Sequence, residues 1–488
     1  MSKQSKEKNT SRSIFRNLSP LDHRYYLSNT ELFEKLEDYI SEDGAVRYAV
    51  RVEGALLSAH LQRLGMGTPE NLQAVATAVK QVEPEAVYLE EEKTNHNVRA
   101  LVNVMKRMLP QEISPYVHLG ATSVDVLDTA ASLRYRDVTR DVLVPLLMQL
   151  QRTLIELAEK EAETPQIGRT HGQHAVPVTV GFALAEYVAR LGKVIPRILD
   201  AADQLAGKLS GAVGGYNAMG LIVEDPLAFE QEVLGSLGLP VSEYSNQIVE
   251  PEYLLHLMLE LNTSFGIVAN LADDLRHLQR TEIGELREFF SSTQVGSSTM
   301  PHKRNPWNSE HVKSLWKAFS PRVMSFFMDQ ISEHQRDLTN SASGRFVSDY
   351  IAGFVAAVNR MLRVVGTLHI ERENLEHNLL SNGDFILSEA AYILLSQAGD
   401  PDAHERVRKI TLECEQSGAK LLEKLRENPE SWTKIDRQLQ RMMGIGAEEF
   451  FSNPARYRGS TAEKTIAITE HHRNMLAELE ARLAVEKE

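Results

Sequence analysis

The chain has 488 residues and carries 67 acidic against 53 basic side chains, a formal net charge of −14 that argues against a nucleic-acid-binding surface. Its single cysteine, Cys414, excludes an internal disulfide and points to a reducing, cytoplasmic setting, and no apolar run reaches the ~18 residues of a membrane-spanning helix. At roughly 150 residues per domain the length suggests about three domains, and a hydrophobic content of 42% can fill large cores.

Residues 1–17 are polar and weakly basic, lack the apolar run of a secretory signal, and are expected to form a disordered tail. Residues 18–125 read as an N-terminal helical domain with two polar breaks. The first is Thr94-Asn95-His96-Asn97-Val98. The second runs from His118 through Gly120 to Asp125, with Thr122 and Ser123 placed to cap the next helix and Asp125 in its first turn. A helix start of this kind also offers free N–H groups to a carboxylate.

Residues 126–369 read as a bundle of long helices. Leu143, Leu147, Leu150, Leu154 and Leu157 recur at alternating steps of four and three. Gly168-Arg169-Thr170-His171-Gly172-Gln173 then forms a break, expected to project His171 from the start of a helix reaching from Val178 to about Leu209 and kinked at Pro196. Strand signals are weak, limited to short pieces such as Gly220–Val223. The helical spacing returns at Leu254, Met258, Leu261, Phe265, Val268, Ala272 and Leu275, and again at Val347, Ile351, Phe354, Val358, Met361 and Val365. A period of ~3.5 residues makes the apolar seam of long, nearly parallel packed helices. Residues 370–488 read as a C-terminal helical domain closing in a charged helix over Thr465–Glu488. The expected fold is therefore mainly α, with three helical domains. Several bundle helices are rich in Leu and Ala beyond one stripe, so self-association is also expected.

The stretch Gly296-Ser-Ser-Thr-Met-Pro-His-Lys-Arg-Asn-Pro306 carries the clearest chemistry. Small residues loosen its start, two prolines stop helix from propagating, and Lys303 and Arg304 stand out in an acidic chain. A mobile loop followed by a cationic, donor-rich turn can close over an anionic substrate. Gln335-Arg336-Asp337-Leu338-Thr339 is a further polar break of the kind that carries binding groups on a rigid scaffold. His171 and His174 are three apart, but no His-Glu-x-x-His and no Cys/His cluster accompany them, so no metal site is expected. Neither a Walker loop nor GxGxxG occurs. On these grounds alone the base would be a histidine.

The string Gly296–Pro306 resembles the GSSxMPxKxNP signature of the fumarase/aspartase superfamily of lyases. Ser19-Pro-Leu-Asp-His-Arg24-Tyr25, Arg169-Thr-His-Gly-Gln173, Gln247-Ile-Val-Glu-Pro251 and Gln335-Arg-Asp-Leu338 make the chain similar, within that superfamily, to the adenylosuccinate lyases. The resemblance implies a β-elimination that releases fumarate from a succinyl-amino nucleotide without a cofactor. It implies Ser297 as the base, on a loop mobile from about Ser291 to Met300, and His171 as the acid. Thr122, Ser123, Gln247, Ser298, Lys303 and Asn305 would grip the succinyl carboxylates. His96, flanked by Asn95 and Asn97, would orient substrate near the acid. Arg24, Tyr25, Arg336, Ser341 and Arg345 would contact the nucleotide and its phosphate, which the planar arginine fork suits. The family also implies a homotetramer with a central multi-helix core and sites drawn from three subunits.

Two positions depart from the family pattern. Asn97 stands where an aspartate is usual, and His23 where a glycine is common. The alternatives are a sister lyase such as an argininosuccinate lyase, or a relative that kept the fold without catalysis. A sister lyase acting on a substrate without a 5′-phosphate would have no use for Arg24 and Arg345.

Overall fold

The computed structural model describes residues 13–291, 293, 296–381 and 384–485, and these are mostly helical. The helices that matter below are α1 (Asn97–Met108), α2 (Ser123–Val138), α3 (Val144–Lys160), α4 (Val180–Asp203), α5 (Glu252–Leu278), α6 (Trp307–Phe319), α7 (Val347–Gly366), α8 (Arg372–Ser381) and α9 (Thr461–Val485). Two compact units interleave along the chain. The first runs up to Leu147 and takes in Val194–Gly266 and Ser314–Asn359; the second takes Met148–Lys193, Ile267–Lys313 and the chain from Arg360 onward.

The long seams are helical and, apart from half-buried Leu157 and Leu254, buried. Leu147, Leu150 and Leu154 of α3, Leu261, Phe265, Val268, Ala272 and Leu275 of α5, and all six seam residues of α7 are shielded from solvent. Leu143 instead belongs to a π-helical turn, Thr139–Leu143, that leads from α2 into α3. On length and composition alone α5 could cross a membrane, but a buried core helix passes the same test, and its seam faces protein.

In the first unit the Phe265 ring lies 5.1 Å from Phe354 and edge-on to Tyr350 at 6.3 Å, and the Tyr350 hydroxyl donates to Asn262 at 3.0 Å. A further core gathers Leu56, Leu133, Phe229 and Val233. In the second unit, Gln151 of α3 donates to the Val188 carbonyl of α4 at 2.7 Å, and Arg190 of α4 donates to Asn270 of α5 at 2.8 Å. The C-terminal helices build a separate core around Leu387, Leu395, Leu421, Leu425 and Ile435, into which Ile167 inserts.

Three local expectations are corrected. α4 contains Pro196 but ends at Asp203, short of Leu209. The Gly220–Val223 piece is no strand, because Met219–Leu221 forms a 3-10 turn. Strands occur instead at β1 (Pro165–Thr170) and β2 (Gln173–Thr179), an antiparallel hairpin, and at β3 (Leu286–Arg287) paired with β4 (His369–Ile370). His171 therefore sits on a hairpin, not at a helix start. Of the expected tail, residues 1–12 lie outside the described residues, while Ile14–Arg16 form a 3-10 turn. The end of the final charged helix, residues 486–488, also lies outside them.

Candidate active site

The first unit gathers one set of polar groups at the starts of α1 and α2. His96 is the N-cap of α1, its Nδ1 accepting the Arg99 N–H at 3.3 Å. A ring that accepts at Nδ1 carries its proton at Nε2 when neutral, and Nε2 lies 3.5 Å from the Ser123 hydroxyl. Asn97 turns its side-chain oxygen onto the Val98 N–H at 2.8 Å. The expected start of α2 is present, since the Thr122 N–H donates to Asp125 Oδ2 at 2.8 Å.

Asp125 does more than its sequence context suggested. It is fully buried and paired with Lys208, itself fully buried. Lys208 also donates to the Gly211 carbonyl at 3.1 Å, and the Gly211 N–H returns to Asp125 at 3.2 Å. A buried pair with its other valences met fixes geometry rather than adding much net stability. It ties the Thr122 turn to the chain at Lys208–Gly211.

One helical turn further on, Asp128 accepts the Val249 N–H at 2.9 Å and so holds the segment that displays Gln247. Burial pushes the Asp128 carboxyl up to about 6, partly offset by the Val249 N–H and the Lys208 cation. The Gln247 N–H donates to the Gln335 carbonyl at 3.2 Å. The neighbouring Arg336 has a φ of 86° and directs its guanidinium to the carbonyls of Asp329 at 2.8 Å and Gln330 at 3.2 Å. It thus closes the end of the helix Val323–Met328. Ser341 and Arg345 are exposed at the two ends of a five-residue helix. Arg24 is exposed at the start of the helix Arg24–Ser28, with Tyr25 half-buried beside it. Among the described residues neither Arg24 nor Arg345 has an ion-pair partner, which leaves both free to meet an anion.

The second unit carries His171 and the signature loop. His171 and Gly172 are the two loop residues between β1 and β2, with φ of 55° and 74°. Two positive φ angles in a row define a type I′ turn, whose twist matches the flanking strands. The imidazole is exposed at the hairpin tip and makes no hydrogen bond among the described residues.

In the signature loop the Ser297 hydroxyl oxygen accepts the backbone N–H of Met300 at 3.1 Å and of Thr299 at 3.4 Å. Asn305 donates its amide to the Gly296 carbonyl at 3.1 Å. Ser298 and Lys303 are exposed, and the Lys303 ammonium is unpaired among the described residues. Ser292, Gln294 and Val295, part of the stretch expected to be mobile, lie outside the described residues. Glu288 holds the far root of the loop, accepting the Ser309 N–H at 2.8 Å, its hydroxyl at 2.6 Å and the Asn308 amide at 2.9 Å.

Backbone strain concentrates at these places. Six non-glycine residues among those described have positive φ, and Asn95, His118, His171 and Arg336 all fall in the polar breaks marked from sequence. Such conformations cost energy and persist where surrounding structure enforces them.

A family model described as "Lyase" matches residues 23–318, and one described as "Adenylosuccinate lyase C-terminal" matches residues 332–445. The chain is 33% identical over 418 residues to the adenylosuccinate lyase of Pyrococcus abyssi, covering 84% of this chain and 90% of that protein. It is 30% identical over 475 residues to that of Methanothermobacter thermautotrophicus, covering 94% and 100%. Among solved structures, the 3-carboxy-cis,cis-muconate lactonizing enzyme of Pseudomonas putida aligns with a TM-score of 0.77 at 23% identity, covering 92% of this chain and 99% of the other. A fumarate lyase from Mesorhizobium sp. BNC1 aligns at 0.76 and 22%, covering 90% and 97%. At these identities the structural matches establish the shared fold.

Proposed function

The chain belongs to the adenylosuccinate lyase family of the fumarase/aspartase superfamily, and from that membership we propose that it eliminates fumarate from adenylosuccinate, leaving AMP, and from the succinylated aminoimidazole carboxamide ribotide. In this reaction a base takes a proton from the carbon next to a carboxylate. The electrons of that C–H bond become the new C=C bond of fumarate, the C–N bond breaks, and the departing nitrogen keeps its electron pair and accepts a proton.

The observation that carries this reading is the pair of N–H groups on Ser297 Oγ. A serine hydroxyl is far too weak an acid to ionise unaided. With Oγ already accepting from Thr299 and Met300, the charge left on deprotonation meets fixed dipoles that need no reorganisation. Lys303 on the same loop, unpaired among the described residues, adds a cation for the developing dianionic carboxylate. His171 delivers the proton to the nitrogen from its exposed tip. His96, as an Nε2–H donor beside Ser123, orients the substrate, while Thr122, Ser123, Gln247, Ser298 and Asn305 take the carboxylates.

Arg24 and Arg345 suit the 5′-phosphate, with Tyr25 and Ser341 beside them. Arg336, holding two backbone carbonyls, contributes by shaping the Gln335–Ser341 turn. The family's tetramer with shared sites is part of the same proposal. Exposed apolar side chains in the stretch leading into the Ser341–Arg345 helix, Phe327, Met328, Ile331 and Leu338, support it, as does exposed Phe346 just after that helix. Incubation with each succinyl nucleotide, with fumarate and nucleotide products quantified, tests the assignment.

A further inference from the structure

The β1–β2 hairpin is broken by a bulge. Ile167 pairs with Pro177 but Arg169 pairs with His174, so two residues of β2 face Gly168 alone. A Cβ on Gly168 would come within 2.6 Å of the Val176 carbonyl oxygen, so the bulge depends on glycine. Bulges bend a strand and re-aim what lies beyond. Here the tip, residues 169–174, carries His171, and the interrupted ladder cannot by itself fix where that tip points.

A single carboxylate bridges the break. Glu285 is completely buried. Its Oε2 accepts from Gln166, before the bulge, at 2.8 Å and from Arg169, after it, at 3.1 Å. Its Oε1 accepts from Arg169 at 2.5 Å and from Asn378 of α8 at 2.9 Å. The Arg169 contact is a two-pronged fork, the geometry that locks orientation as well as charge. Asn374 and Asn378, one turn apart on α8, also hold the Gly284 carbonyl at 2.7 Å and the Ile283 carbonyl at 2.8 Å. The base of the hairpin, its tip and α8 therefore converge on one side chain. The next residues, Leu286–Arg287, form β3 and lead to Glu288 at the root of the signature loop.

We propose that Glu285 is a positioning residue that, through Arg169, sets the aim of the hairpin tip and with it the His171 imidazole. The inference rests on the reading of His171 as the acid. Glu285 touches no substrate; it removes the freedom that the Gly168 bulge introduces.

The test compares wild type, Glu285→Gln, Arg169→Lys and His171→Ala on two substrates. One is adenylosuccinate; the other is its sulfur-linked analogue, whose thiolate departs without needing a proton. Glu285→Gln and Arg169→Lys are expected to lower kcat on adenylosuccinate by about 10- to 100-fold with KM within about threefold, as misaimed groups do. Most of that loss should vanish on the sulfur-linked substrate. Arg169→Lys keeps the charge and loses only the fork, so it decides the question if Glu285→Gln fails to fold. Wild-type kcat in both variants beside an inactive His171→Ala overturns the positioning role and leaves the acid assignment standing. An equal loss on both substrates also overturns it, because misplacement of the acid cannot slow a step that needs no acid. Normal turnover of adenylosuccinate by His171→Ala defeats the acid assignment itself, and the positioning role with it.

Discussion

The side-chain amide of Asn305 donates to the carbonyl of Gly296 at 3.1 Å and closes into a ring the segment that carries Ser297, Ser298 and Lys303. A Cβ on Gly296 would collide with the Lys303 carbonyl oxygen, so the neck of this ring closes only around glycine. Among the described residues the other amide hydrogen and the side-chain oxygen of Asn305 take no partner, which suits the carboxylate contact proposed for it.

Gly296→Ala should therefore disable the loop without unfolding the protein, since the loop is largely exposed. Expected is a fall in kcat of about 100-fold with a thermal midpoint shifted by no more than about 3 °C. Turnover near the wild-type rate would mean that the closed neck is incidental.

Ser297→Ala removes the proposed base and should cut kcat by about 1,000-fold or more while leaving substrate affinity within about threefold, because the hydroxyl acts in the transition state. Binding is read by calorimetry and turnover by product formation. If turnover survives, the base is a histidine after all.

The two imidazoles differ in what a change of leaving group does to them. A sulfur-linked substrate should restore turnover to His171→Ala, whose missing proton is no longer required, and not to His96→Ala, which has lost an orienting contact. The reverse pattern would exchange their roles.

Asp128 gives a stability signature with a definite sign. Its carboxyl is raised to about 6 by burial, with Val249 and Lys208 opposing. Between the ordinary carboxylate range and about pH 6 the folded protein binds more protons at this site than the unfolded chain does, so this contribution to stability falls as pH rises through that window. Asp128→Asn keeps an oxygen for the Val249 N–H and removes the charge. It should raise stability by about 1–2 kcal/mol above about pH 7 and change little near pH 4. Thermal unfolding at the two pH values measures the difference, and an equal gain at both would contradict the account.

The assembly is also measurable. Sedimentation should give a particle near four times the 54.8 kDa chain mass, and a fully active monomer would contradict shared sites.

Much of the helical architecture was legible because its signal is local and repeated: the apolar positions of α5 and α7 recur with the helical period, and all but half-buried Leu254 are buried. The hairpin was not. β1 and β2 are six and seven residues long, too short for a strong alternating pattern, and prolines at 165 and 177 mimic loop. The His-Gly pair read as a break, and its two positive φ angles make it a turn between strands. Glu285 was invisible for a different reason, since its partners Gln166 and Arg169 are more than a hundred residues away in sequence. Lys208 left a faint trace as a lone cation in an apolar stretch. The N–H groups on Ser297 come from residues two and three positions on, and a serine in a tight turn could have announced them.

The most direct test of the account follows ultraviolet absorbance as the purified protein is mixed with adenylosuccinate, with argininosuccinate in a parallel cuvette. The account predicts loss of adenylosuccinate with fumarate and AMP formed in equal amounts, and no change in the other. Fumarate release from argininosuccinate with adenylosuccinate untouched would contradict it.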